Sequence, residues 1–128
     1  MSATTTWPGD WLRGVLEMAV LRVLATEPAS YGYAISVALE RNGLGAVKGG
    51  TLYPLLARLE QAAYVQTRWE AGDGGPGRKY YTIPDSGRSH LSSTSAAWCE
   101  FAQTTASFLR EDAPGIPAAS RPTAAPSR

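Results

Sequence analysis

The chain has 128 residues, 44% of them hydrophobic, with a formal net charge of +1, which bounds it to one small domain around a single core. So small a total does not announce a nucleic-acid binder, and ten Arg against two Lys reads as codon bias unless position argues otherwise. The one cysteine, Cys99, excludes an intramolecular disulfide framework and fits a reducing cytoplasm.

Residues 1–9 are polar and threonine-rich and are expected to form a flexible arm. They lack the basic start, apolar run and cleavage site of a signal peptide. Asp10 is a candidate cap for a first helix, whose body "LRGVLEMAVLRVLA" is apolar around most of its circumference, as a central core helix is. With Arg13, Glu17 and Arg22 inside it, Leu12 to Ala25 is too short and too charged to span a bilayer. A cytoplasmic protein without a membrane partner is expected. Glu27-Pro28 ends this helix. A second is expected from about Tyr31 to Arg41, capped by Ser30, with Ile35, Ala38 and Leu39 inward; Asn42-Gly43 and Gly45 stop it.

The stretch "KGGTLYPLLARLE" follows. Leu52, Leu55, Leu56 and Leu59 stand at i, i+3, i+4 and i+7, the stripe of an amphipathic helix. Pro54 is tolerated if the helix starts at Gly50 or Thr51, because the first N–H groups of a helix have no internal partner. Steps of about 100° per residue then place Thr51, Pro54, Ala57, Arg58 and Gln61 opposite the leucines. After Ala63 the period becomes two. "YVQTRWE" sets Val65, Thr67 and Trp69 on one side of a half-buried strand. "AGDGGPG" reads as a flexible turn, and "RKYYTI" is rich in strand formers. From about Asp85 to Arg110 a helix of about 39 Å is expected. Its Leu91, Thr94, Trp98, Phe101, Thr105 and Phe108 form a heptad-like seam that calls for a partner helix. Residues 112–128 hold four prolines and little to bury, the composition of a disordered tail.

This order of elements is mainly α with a small β-hairpin: a winged helix-turn-helix (residues 10–84) plus a long C-terminal dimerisation helix (residues 85–111). The third helix offers a small and polar face with one Arg, able to approach base edges. Gly49 and Gly50 let backbone N–H groups approach a phosphate at its N-terminus. Position also gives the charge a meaning. Between Arg41 and Arg88 there are seven basic residues (Arg41, Lys48, Arg58, Arg68, Arg78, Lys79, Arg88) against four acidic (Glu60, Glu70, Asp73, Asp85), +3 locally. Arg78 and Lys79 flank the hairpin tip, where phosphate contact is expected.

"LRGVLEMAVLRVLA", "YGYAI", "GGTLYPLLARLE", "GRKYYTI" and "SGRSHL" together resemble the PadR family of bacterial transcriptional regulators, over roughly Leu12 to Leu109. The resemblance implies a homodimer that sets two wings on a pseudo-palindromic operator in double-stranded DNA, usually to repress, in some members under a small aromatic effector. It implies DNA contacts from Thr51, Tyr53, Pro54 and Arg58, wing contacts from Arg78 and Lys79, and Tyr33 near the backbone. Lys48, Gly50 and Gln61 complete the candidate DNA surface. The candidate dimer interface is Leu91, Trp98, Phe101, Thr105 and Phe108, with Trp98 also a candidate ligand contact. Tyr31 stands where the family often has His, and a single C-terminal helix matches its short subgroup. The second reading is a winged-helix module that binds protein instead of DNA, since one fold serves both. An enzyme is not expected, nor a cofactor or metal: one His, one Cys and no phosphate-binding glycine motif are present. His90 reads as an exposed polar residue.

Overall fold

The structure, a computed structural model, describes residues 6–72 and 75–110. The expected C-terminal tail and the first five residues of the arm lie outside them. Contacts divide the chain into two units, one ending at Ser95 and one starting at Ala96.

The apolar first segment forms two helices rather than one, α1 (Gly9–Arg13) and α2 (Leu16–Thr26). Gly14 caps α1, and the chain turns there through i→i−3 bonds from Gly14 to Trp11 and from Val15 to Leu12. Glycine is a poor helix-interior residue, and of the α1 side chains only Leu12, half-buried, packs on the core. Asp10 is not the cap. Pro8 holds that position, and Asp10 pairs with Arg13 at 2.6 Å in full exposure, where such a pair contributes little. Trp7, expected in a flexible arm, donates its indole N–H to the Gly43 carbonyl at 2.7 Å.

α3 spans Gly32–Arg41, and its cap position is Tyr31. Ser30, the expected cap, is buried instead in a two-residue strand β1 (Ser30–Tyr31). α4 (Gly49–Gln61) carries the leucine stripe, and all four leucines are buried as the spacing predicts. The helix begins one residue before the expected range, so Pro54 sits in its second turn. The missing proline N–H therefore leaves the Gly50 carbonyl without its i+4 donor, and this is tolerable because Gly50 is exposed to water.

Past α4 the chain turns at Ala63, which adopts φ 66° without being glycine. The Tyr64 N–H closes the helix end on the Leu59 carbonyl at 2.9 Å. β2 (Gln66–Gly72) and β3 (Gly75–Thr82) then pair antiparallel, with Thr67 opposite Tyr81 and Trp69 opposite Lys79. Strand formation thus extends into the glycine-rich segment expected to be a turn. β1 joins the other edge of β3, giving a three-stranded sheet in the order β1-β3-β2.

The first unit packs α2, α3 and α4 with Val65, Tyr81, Ile83 and Leu91 in one apolar core. Leu91 comes from α5 (Asp85–Leu109), which starts where Pro84-Asp85 predicts. Its first turn is tied down by Gly87 against the Tyr64 carbonyl and by the Ser86 hydroxyl, which donates to the Ala63 carbonyl at 2.6 Å. His90 is not simply exposed: half-buried, it stacks on Tyr64 with ring centroids 3.9 Å apart. In the second unit α5 continues with Trp98, Phe101, Phe108 and Leu109 exposed. No described helix is long and apolar enough to cross a membrane.

Candidate nucleic-acid interface

Burying four leucines on one side of α4 forces Thr51, Tyr53, Pro54, Ala57, Arg58 and Gln61 to the solvent side, and all six are exposed. Lys48 and Gly50 are exposed at the same end. Lys48 occupies the cap position, and no side chain caps the helix. The Thr51 N–H bonds the Lys48 carbonyl at 2.9 Å, and the Gly49 and Gly50 N–H groups are open to an anion, where the helix dipole also favours one. A Cβ added to Gly50 would meet nothing within 4 Å, so this end can be approached closely.

Tyr53 is held by an unusual fit. A Cβ on Gly32 would collide with the Tyr53 hydroxyl and ring, so the glycine of "YGYAI" makes the space in which the phenol lies across the start of α3. Tyr33, the next residue, is exposed on α3.

On the wing, strand alternation separates two cations that the sequence places side by side. Arg78 shares a sheet face with Tyr31 and Tyr80, and its guanidinium lies 4.2 Å from the Tyr31 ring centroid. Tyr31 in turn meets Tyr80 edge-on at 5.5 Å. Lys79 faces the other way, toward α4, and its ammonium donates to Glu60 at 3.3 Å. The second Glu60 oxygen accepts the Thr67 hydroxyl at 2.9 Å. Burial pushes the Tyr81 phenol above its ordinary pKa, against the opposing pull of Lys79. Arg68 is likewise committed, to Glu70 at 2.7 Å. Among the described residues no carboxylate pairs with Lys48, Arg58 or Arg78. Arg41 and Arg88 have no described carboxylate partner either, but within α4 and the wing it is Lys48, Arg58 and Arg78 that carry the uncompensated charge.

Trp69 departs from expectation most. Alternation puts it on the same side of β2 as Val65 and Thr67. Val65 is buried and Thr67 half-buried, but Trp69 is 69% exposed, because the wing has by then run past the core. Its register opposite Lys79 is the signal that sequence reasoning lacked. Of the expected dimer residues, Leu91 is enclosed by its own chain and is 8% exposed. The uncovered part of the seam is formed by Trp98, Phe101 and Phe108, with Thr105 half-buried.

Three helices with a hairpin beside the third define a winged helix-turn-helix. Residues 20–93 match the transcriptional regulator PadR-like family. The chain belongs to that family, whose members are transcriptional regulators rather than enzymes. It is 33% identical over 103 residues to an uncharacterized protein of Lysinibacillus sphaericus, covering 78% of this chain and 93% of the other. A PadR family transcriptional regulator from Eggerthella lenta superposes with a TM-score of 0.70 at 33% identity, over 78% of this chain and 86% of that one. A PadR-like transcriptional regulator from Bacillus cereus gives 0.69 at 33% identity, over 80% and 98%.

Proposed function

We propose that this PadR-like protein is a cytoplasmic homodimeric repressor that reads a pseudo-palindromic operator in double-stranded DNA. The observation that supports it most is the N-terminal face of α4, which no side chain caps, flanked by Lys48, Arg58 and Arg78, cations that no described carboxylate pairs. In this reading Thr51, Pro54, Arg58 and Gln61 face base edges in the major groove. Lys48, the Gly50 N–H, Tyr33 and Tyr53 meet the backbone near the helix start, and Arg78 meets the flanking phosphate. Lys79 has a smaller electrostatic share, since Glu60 already neutralises much of its charge. The winged helix (residues 10–84) is the reading domain, and α5 is the dimerisation element. A lone helix exposing Trp98, Phe101 and Phe108 gains by pairing with a second copy. A planar aromatic ligand lodged at Trp98 releases the operator.

Duplexes from upstream of its own and neighbouring genes test this by footprinting. Affinity is expected to fall steeply with salt. Arg78→Ala should lower the log–log salt slope by about one, and Lys79→Ala should lower it by less. Absence of any protected site removes the DNA reading. Sedimentation should give a dimer, and a monomer at micromolar concentration removes the seam. Quenching by a planar cationic dye should weaken in Trp98→Phe, and identical titrations remove the ligand site.

A further inference from the structure

Between α4 and the wing lies a cleft of about 460 Å³. Tyr53 and Ala57 line it from α4, Tyr31 from β1, and Trp69, Arg78, Lys79 and Tyr81 from the wing. Trp69 and Tyr53 are 69% and 52% exposed. Single exposed aromatics are ordinary on protein surfaces, but two large rings left open to one cleft form a patch that asks for a partner. The Trp69 ring edge lies 3.5 Å from where a Cβ on Gly77 would stand, so the indole rests along the wing on a residue that has no side chain. Two cations line the cleft: Lys79, shared with Glu60, and Arg78, whose guanidinium lies over Tyr31. The cleft surface thus joins aromatic rings to one cation that no described carboxylate pairs, which suits a sugar–phosphate strand better than a bare phosphate.

Resting on the DNA reading above, we infer that this cleft takes one sugar–phosphate strand of the duplex and that Trp69 packs its indole on a deoxyribose there. A duplex seated on α4 and touched by Arg78 has a strand crossing between these two elements. The C–H faces of deoxyribose are the apolar surface a strand offers without unstacking its bases. Insertion between bases would cost a few kcal/mol per step. Part of the affinity is then apolar and independent of salt, beside the electrostatic part carried by Lys48, Arg58 and Arg78.

The experiment is anisotropy of the full chain on a labelled duplex from upstream of its own gene, between about 50 and 200 mM salt. Trp69→Ala should raise Kd about tenfold at every salt concentration, the scale of a lost aromatic contact to nucleic acid. Its salt slope should stay that of the unsubstituted protein, whereas Arg78→Ala should lower the slope by about one. Trp69→Phe should stay within about threefold in affinity. In a variant with Trp7, Trp11 and Trp98 all changed to Phe, and at duplex concentrations where anisotropy shows that this variant is bound, the remaining Trp69 emission should shift. Unchanged affinity of Trp69→Ala overturns the inference, as does a slope that falls as in Arg78→Ala, or an emission that does not respond. Failure of the unsubstituted protein to bind any such duplex removes the DNA reading and this inference with it. That result is distinct from normal binding that ignores Trp69.

Discussion

Replacing Leu56 by Ala is expected to lower the folding free energy by about 2–5 kcal/mol, the range for large-to-small changes in a packed core. Leu56 and Leu59 are fully buried, and Leu52 and Leu55 are buried beside them, so the lost volume opens inside the core rather than to solvent. Domains of this size are stable by about 5–15 kcal/mol, so this is a large fraction of the total. Urea denaturation measures this as a lower midpoint with an unchanged slope. Because Leu56 points away from the exposed face of α4, the folded fraction should bind DNA with normal affinity. A loss below about 1 kcal/mol would mean that α4 is not anchored by this stripe.

Gly87→Ala carries the second large effect, and two opposing terms decide its sign. In a free helix the change would stabilise by about 1 kcal/mol through helix propensity. Here the new methyl would overlap the Tyr64 carbonyl oxygen and stand 2.7 Å from the Ile83 Cγ1. The oxygen belongs to the backbone and cannot swing aside as a side-chain end could. Overpacking of this kind costs about 1–3 kcal/mol, sometimes more, so net destabilisation is expected. The first turn of α5 must lift, and the Ser86 bond to the Ala63 carbonyl should weaken with it. Hydrogen exchange should then speed up at the start of α5 and at the α4–β2 turn. A higher urea midpoint for Gly87→Ala would refute the close packing of α5 on that turn.

Much of this was legible in advance for a physical reason. Helix burial follows a local period, so the four leucines of α4 alone determined its inward side, and Thr51, Arg58 and Gln61 were left outside without any knowledge of neighbours. Pro84-Asp85 marked the start of α5 in the same local way. The helix break at Gly14 was not legible, because it depends on whether anything packs on α1. Nor was β1, since two residues carry no period and Ser30 reads equally well as a cap. Adjacent Arg78 and Lys79 looked equivalent in sequence. Their fates diverged because strand alternation turned one onto Tyr31 and the other onto Glu60, more than fifteen residues away in the chain.

By itself, then, the sequence determined the order and type of the main elements, the buried side of α4, and a family resemblance that the comparisons bear out. Only the tertiary structure decided which cations stay unpaired, that Leu91 belongs to its own core, and that Trp69 stands open beside Tyr53. Periodicity reports which residues share a side of one element. It does not report how far the neighbouring element extends to cover that side, and the wing outruns the core at Trp69.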